Sequence, residues 1–126
     1  MINKPKILVV DDDRNLQKII ESRLRHAGYD VEQALSGEEA VDSMKKSRPK
    51  VVFLDIVMPG MDGFELLDFM KKDRKMKSVP VVMLTSRSSD EDIQRAITMG
   101  AKDYLVKPFR PSILVEKIKK VTGRKK

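Results

Sequence analysis

The chain has 126 residues, no cysteine and a formal charge of +7 at neutral pH. This length suits one domain that buries roughly two-thirds of its unfolded surface, and the lack of cysteine excludes disulfides and thiolate metal sites and fits a reducing compartment, the cytoplasm. Residues 1–6 lead straight into an apolar run without the long apolar stretch of a signal peptide or membrane span, so no membrane attachment is expected.

In chain order, short apolar runs alternate with helical patterns, which predicts five βα units and a doubly wound α/β fold, a parallel sheet with helices on both faces. The first run, Ile7-Leu8-Val9-Val10, ends in Asp11-Asp12-Asp13. Leu16, Ile19, Ile20 and Leu24 then recur at helical spacing, predicting helix one over about residues 14–27 with Gly28 as a left-handed cap. Asp13 suits the cap at its start. A strand over about residues 29–34 leads to Ser36 and, three residues on, Glu39, the spacing of a capping box for helix two. Pro49 follows that helix. Strand three, Val51-Val52-Phe53-Leu54, ends in Asp55, and Phe64, Leu67 and Met70 mark helix three. Pro80 opens strand four, Val81-Val82-Met83-Leu84, which ends in Thr85-Ser86. Ser89 is the expected cap of helix four, whose Ile93, Ala96 and Ile97 lead to Gly100. Strand five, Tyr104-Leu105-Val106, ends in Lys107-Pro108, and Pro111 is expected in the first turn of helix five with Ile113, Leu114 and Ile118 inward. Residues 1–126 thus read as a single domain, core about 5–122 with a short basic tail. No internal repeat, linker or DNA-binding domain is expected.

The cations are segregated. Basic clusters fall at residues 23–26, 45–48, 71–77 and 124–126, each at or beyond the C-terminal end of a predicted helix, where they complement the helix dipole. His26 has no second histidine at ligand spacing and reads as a solvated cation. Met58, Met61, Met70 and Met83 read as core filler.

In an open doubly wound sheet, ligands bind beyond the carboxyl ends of the strands. Asp11, Asp12, Asp55, Thr85 and Lys107 all fall on that edge. If the strand order is 2-1-3-4-5, which periodicity does not decide, strands one and three are neighbours about 4.8 Å apart, which would bring Asp11 and Asp12 close to Asp55. Clustered carboxylates stay ionised only beside a cation, and hard oxygen ligands suit Mg²⁺ better than zinc. A central carboxylate can attack a phosphoryl donor and form an acyl phosphate. A hydroxyl, an ammonium and a metal then supply positioning and electrostatics.

Val9-Val10-Asp11-Asp12, the segment from Asp55 to Gly63, Leu84-Thr85-Ser86 and Lys107-Pro108-Phe109 together resemble the receiver domain of bacterial two-component response regulators, over nearly the whole chain. The resemblance implies a flavodoxin-like five-stranded sheet of order 2-1-3-4-5. It implies a stand-alone, phosphorylation-controlled switch that accepts a phosphoryl group on Asp55 from a histidine kinase or histidine phosphotransfer protein. By the same resemblance Asp12 binds Mg²⁺ directly, Asp11 through water, and the Val57 main-chain carbonyl completes the protein ligands. Thr85 and Lys107 hold the phosphoryl oxygens, and the Lys107-Pro108 bond is cis. Tyr104 matches a switch position whose ring reports the state. The output surface for a downstream protein target is helix four, strand five and helix five, with Lys117, Lys119 and Lys120. No enzymatic activity is expected beyond its own phosphorylation and dephosphorylation.

Some positions depart from the common pattern or vary. Asp13 stands where many relatives carry Glu, and Arg110 precedes Pro111 where a capping Ser is usual, so helix five is expected to begin less firmly. Val57 and Arg87 occupy variable positions that tune dephosphorylation. An apolar Val57 side chain cannot orient water, which predicts slow to intermediate loss of phosphate. Two other classes fit less well. A phosphatase with an aspartyl-phosphate intermediate would need a second acid two residues after Asp55, where Val57 stands, and a flavin-binding protein of similar topology would meet repulsion between Asp11-Asp12-Asp13 and the flavin phosphate.

Overall fold

The computed structural model describes residues 4–86 and 90–123. Five parallel strands form one sheet in the order β2-β1-β3-β4-β5, with β1 Lys6–Val10, β2 Asp30–Ala34, β3 Val51–Asp55, β4 Val81–Thr85 and β5 Asp103–Val106. The helices between and after them are α1 Arg14–His26, α2 Gly37–Lys46, α3 Gly63–Lys72, α4 Asp90–Thr98 and α5 Ile113–Val121. Ser89, the expected cap of α4, Arg87 and the basic tail at residues 124–126 lie outside the described residues.

The central strands β1, β3 and β4 read as unbroken apolar runs because both of their faces are covered, whereas the edge strands β2 and β5 combine buried and exposed positions. Ile7, Val9, Val51, Phe53, Val82 and Leu84 point to one side and pack with Ile20 and Leu24 of α1 and Leu114 and Ile118 of α5. Leu8, Val10, Val52, Leu54, Val81 and Met83 point to the other, with Ala40 and Met44 of α2, Leu67 and Met70 of α3 and Ala96 of α4. Strand periodicity of two is thus satisfied twice over. Met58, Met70 and Met83 are buried in the second layer, and Met61 packs against it half-buried.

Helix one differs from its expected face. Ile19 is 51% exposed, and the buried stripe is Gln17, Ile20 and Leu24, a spacing of three and four. A polar residue occupies what periodicity assigned to an apolar one. Other boundaries shift slightly. Pro111 precedes α5 instead of lying in its first turn, since Ile113 and Leu114 donate to the Arg110 and Pro111 carbonyls in a turn before the helix. Ser112 at the cap position makes no side-chain cap bond, in line with a weak start. Ser36 accepts from the Glu39 amide as expected, while Glu39 reaches back to the amide of Leu35 and not of Ser36. The full capping box belongs to α3, where Asp62 and Glu65 exchange side-chain and backbone bonds. Asp13 caps α1 by accepting from the amides of Asn15 and Leu16, and Gly28 takes the left-handed conformation at φ +99°.

An ion cluster fastens α5 to the sheet. Asp103, buried at the start of β5, accepts from the ammonium groups of Lys117 at 2.9 Å and Lys120 at 3.0 Å and from the Tyr104 amide at 2.8 Å. Burial alone would raise its carboxyl, but these three donors outweigh it and hold the group below the usual carboxylate range. A depressed carboxyl contributes stability above its unfolded pKa and loses it as pH falls through the folded one. Asp103→Asn is therefore expected to cost roughly 1–3 kcal/mol at pH 7, discounted for the solvent around Lys120. In urea denaturation the gap to the parent should close as pH falls below about 4. A gap that stays constant across that range would contradict this role.

Candidate functional site: three carboxylates and a lysine at the strand ends

Each side chain of the site is delivered by the end of a strand. The Asp11 amide donates to the Ala34 carbonyl at 3.0 Å, which carries the β1–β2 pairing one residue past β1. The buried Gln17 amide of α1 then clamps this corner, its Nε2 donating to the carbonyls of Val9 at 2.9 Å, Asp11 at 3.1 Å and Ala34 at 3.1 Å. The reverse orientation of the amide would set oxygen against three oxygens. Gln17 thus fixes the backbone from which Asp11 and Asp12 project, a role the sequence reading missed. Its position three residues before Ile20 and seven before Leu24 is the signal that could have found it.

Asp55 closes β3, and its backbone is pressed by α3: a Cβ on Gly63 would lie 2.2 Å from the Asp55 carbonyl oxygen. Only glycine permits that approach, which sets the β3–α3 loop against the site. The parallel register of β1 and β3 pairs Val10 with Leu54, so Asp11 and Asp55 follow side by side. One carboxylate oxygen each of Asp11, Asp12 and Asp55 lies within 4.8 Å of the other two.

Asp11 is fully buried with both oxygens engaged, Oδ1 by the Asp13 amide at 2.9 Å and Oδ2 by the Lys107 Nζ at 2.7 Å. The same ammonium stands 3.5 Å from Asp55 Oδ2, while Asp12 is exposed beside them. Burial, then the charge of Asp11, push the Asp55 carboxyl up from 3.8 to about 6, against Lys107 and a hydrogen bond from the Val57 amide. Burial opposes the charge on Lys107, but its hydrogen bond to Asp11 and the charge of Asp55 keep that ammonium above its ordinary value. One ammonium thus faces three carboxylates. The donor set is hard oxygen only, open to water through Asp12, and fits a hard divalent cation that keeps part of its hydration shell.

Thr85 ends β4, buried, on the strand next to β3. Its carbonyl accepts from the Lys107 amide at 2.7 Å, and the Lys107-Pro108 bond is cis. Val57 is 53% exposed. Tyr104, paired with Met83 across β4 and β5, is 37% exposed. Of the three lysines expected on the output surface, Lys117 and Lys120 are tied to Asp103. A cleft of about 590 Å³ along α4, lined by Asp90, Glu91, Gln94, Arg95, Thr98 and Met99, includes none of the three carboxylates.

The comparisons with known proteins agree with this geometry. A model described as the response regulator receiver domain matches residues 7–119. The chain is 41% identical over 123 residues to "Probable transcriptional regulator ycf27" of Porphyridium aerugineum, covering 98% of this chain and 50% of that protein, and 39% identical to its namesake in Cyanophora paradoxa, with the same coverage. It therefore spans about half the length of the curated relatives it matches. Among solved structures, Vibrio cholerae chemotaxis protein CheY4 superposes with a TM-score of 0.90 at 36% identity, covering 94% of this chain and 99% of that one. The receiver domain of Francisella response regulator 1452 gives a TM-score of 0.88 at 31% identity, covering 98% and 100%.

Crowding of like charges makes a prediction about pH. A carboxyl whose folded pKa is raised stabilises the fold below its unfolded pKa and loses that contribution as pH rises through the folded value, here about 6. Asp55→Asn is expected to stabilise the chain by roughly 1–3 kcal/mol at pH 8 in the presence of chelator. That gain should shrink as pH is lowered through 6 towards 4. Thermal unfolding across this range checks it, and a gain independent of pH would contradict the charge-crowding account.

Proposed function

Because this chain belongs to the response regulator receiver family, with the family model matching residues 7–119, and is thereby a phosphorylation-regulated signalling switch, we propose that Asp55 is its phosphoacceptor and Mg²⁺ its cofactor. The observation that carries this reading is the Lys107 ammonium set between Asp11 at 2.7 Å and Asp55 at 3.5 Å, with Asp12 open to water beside them. The phosphatase and flavin-binding alternatives fall with the family assignment.

In the proposed step an Asp55 carboxylate oxygen attacks the phosphorus of a phosphohistidine on a histidine kinase or phosphotransfer protein. The new bond is the acyl phosphate, and the P–N bond breaks with its electron pair passing to the imidazole nitrogen. Bound Mg²⁺ would offset charge on the phosphoryl oxygens, and Asp12, Asp55 and the Val57 carbonyl would hold it, Asp11 through water. Lys107 supplies fixed positive charge at the attacked side, and Gln17 and Gly63 keep the two strand ends in place. Thr85 would bind a phosphoryl oxygen and carry the change of state towards Tyr104 on the next strand. Val57 has no group to orient water, so slow to intermediate loss of phosphate is proposed.

The unit that acts is one domain with its core over about residues 5–122, working in the cytoplasm. Among the described residues no helix is long and apolar enough to cross a membrane. The downstream protein target is proposed to engage α4, β5 and α5. Ile97, Tyr104 and Val106 lie on α4 and β5, and they are three of the five large hydrophobic side chains exposed among the described residues. A partner that prefers the phosphorylated arrangement would shift the equilibrium by its differential affinity.

Mass spectrometry after incubation with acetyl phosphate and Mg²⁺ tests the assignment. A labile gain of about 80 Da, one phosphoryl group, is expected, and it should be absent from Asp55→Asn and in excess chelator. A gain that persists in Asp55→Asn would overturn Asp55 as acceptor.

A further inference from the structure

In this topology every helix runs back against its strands, so helix C-termini and strand starts meet at one pole, opposite the carboxylates. We propose that this pole is a binding surface for the phosphodiester backbone of nucleic acid, engaged without reading sequence. The inference stands apart from the phosphorylation reading and uses none of its residues.

Register brings the cations into a row. The Lys50 amide donates to the Lys6 carbonyl at 2.8 Å, and the Lys102 amide to the Val81 carbonyl at 2.8 Å. Lys6, Lys50 and Lys102 therefore stand at the starts of β1, β3 and β5. Neighbouring strands lie about 4.8 Å apart, so β3 and β5, with β4 between them, stand roughly 10 Å apart, and Lys102 is level with Val52, two residues further along than Lys50.

The connections between these strands are tied together. The Arg48 guanidinium donates to the Lys75 carbonyl and the Ser78 hydroxyl, each at 2.8 Å, joining the loop before β3 to the loop before β4. Lys71 donates to the carbonyls of Lys77 at 3.1 Å and Val79 at 3.4 Å. A cleft of about 250 Å³ opens there, lined in part by Arg48, Lys50, Ser78 and Thr122.

Helix dipoles do not account for this charge. Lys45, Lys46, Lys71 and Lys72 sit in last turns and offset the dipoles there, but Lys50, Lys75, Lys77 and Lys102 lie outside helices. Among the described residues no carboxylate pairs with any of those four. Asp73, the carboxylate of their loop, is turned onto the amides of Lys75 and Met76. Burial, and after it the charge of Lys102, lower the Lys71 ammonium pKa.

The chemistry of the occupant follows from what the pole lacks. None of the exposed large hydrophobic side chains lies on these connections, so a peptide anchored by apolar residues or an inserting membrane surface finds no foothold. A duplex offers one negative charge per about 1.7 Å of axis, denser than an extended acidic peptide at roughly 3.3 Å per residue. Cations that approach it release its counterions.

Fluorescence anisotropy with a labelled duplex of arbitrary sequence, over a salt series, tests the proposal. Binding is expected with a Kd on the order of 10⁻⁶–10⁻⁴ M at physiological salt and a linear fall of log K with log salt. Lys50→Glu/Lys102→Glu should weaken it at least about tenfold and reduce the salt slope by about 2. Arg14→Glu/Lys18→Glu makes the same change in net charge at the start of α1, towards the opposite pole, and should bind nearly as the parent does. Equal weakening by both pairs, or no salt-dependent binding by the parent, would overturn the proposal. So would displacement of the duplex by poly-glutamate or phosphatidylserine vesicles as effectively as by unlabelled duplex at equal charge.

Discussion

Three carboxylates held within 4.8 Å of one another by strand register, with a single ammonium between them, set the terms for the whole carboxyl edge of the sheet. Burial removes water that would otherwise screen them, and the Asp55 carboxyl rises to about 6 as a result. Such a site lowers its energy by taking up positive charge. A hard cation does so, and the same arrangement then tolerates the oxygens of a phosphoryl group that Asp55 alone would repel. Lys107 is central because it touches two of the three acids, so a change in charge on Asp55 alters what holds the end of β5.

The fold makes this crowding possible and also separates it from the opposite charge. Parallel strands fed by returning helices gather all strand ends, and all helix starts, at one pole. Asp11, Asp12, Asp13, Asp55, Asp62 and the acidic first turn of α4 collect there. The other pole receives strand starts and helix ends, and with them most of the lysines that give the chain its +7 charge. Net charge alone hides this division. One pole is proposed to take a cation and a phosphoryl group, and the other a polyanion, with the sheet between them.

Much of this was legible in the sequence. Apolar runs of four followed by a polar residue located Asp55 and Thr85, because a strand buried on both faces leaves no ambiguity about where it stops, and the shorter run of β5, buried on one face only, ended at Lys107. Asp11 and Asp12 followed from the resemblance in strand order, since periodicity cannot choose which strands are neighbours. What escaped were polar residues whose partners are distant in the chain. Gln17 is not apolar, so the periodicity passed over it, yet its amide donates to three carbonyls at the ends of β1 and β2. Asp103 was not singled out, and its partners Lys117 and Lys120 lie on the following helix. Ile19 was placed inward by spacing, yet it is 51% exposed while Gln17 is buried with its Nε2 on three carbonyls.

The central claim, that the crowded carboxylates form a cation site, is tested most directly by amide NMR shifts on titrating Mg²⁺ into the parent and into Asp12→Ala. The account predicts shifts confined to the strand ends around residues 11–13, 55–58, 85 and 107, and their loss in the variant. Shifts centred elsewhere, or a response unchanged by Asp12→Ala, would contradict it.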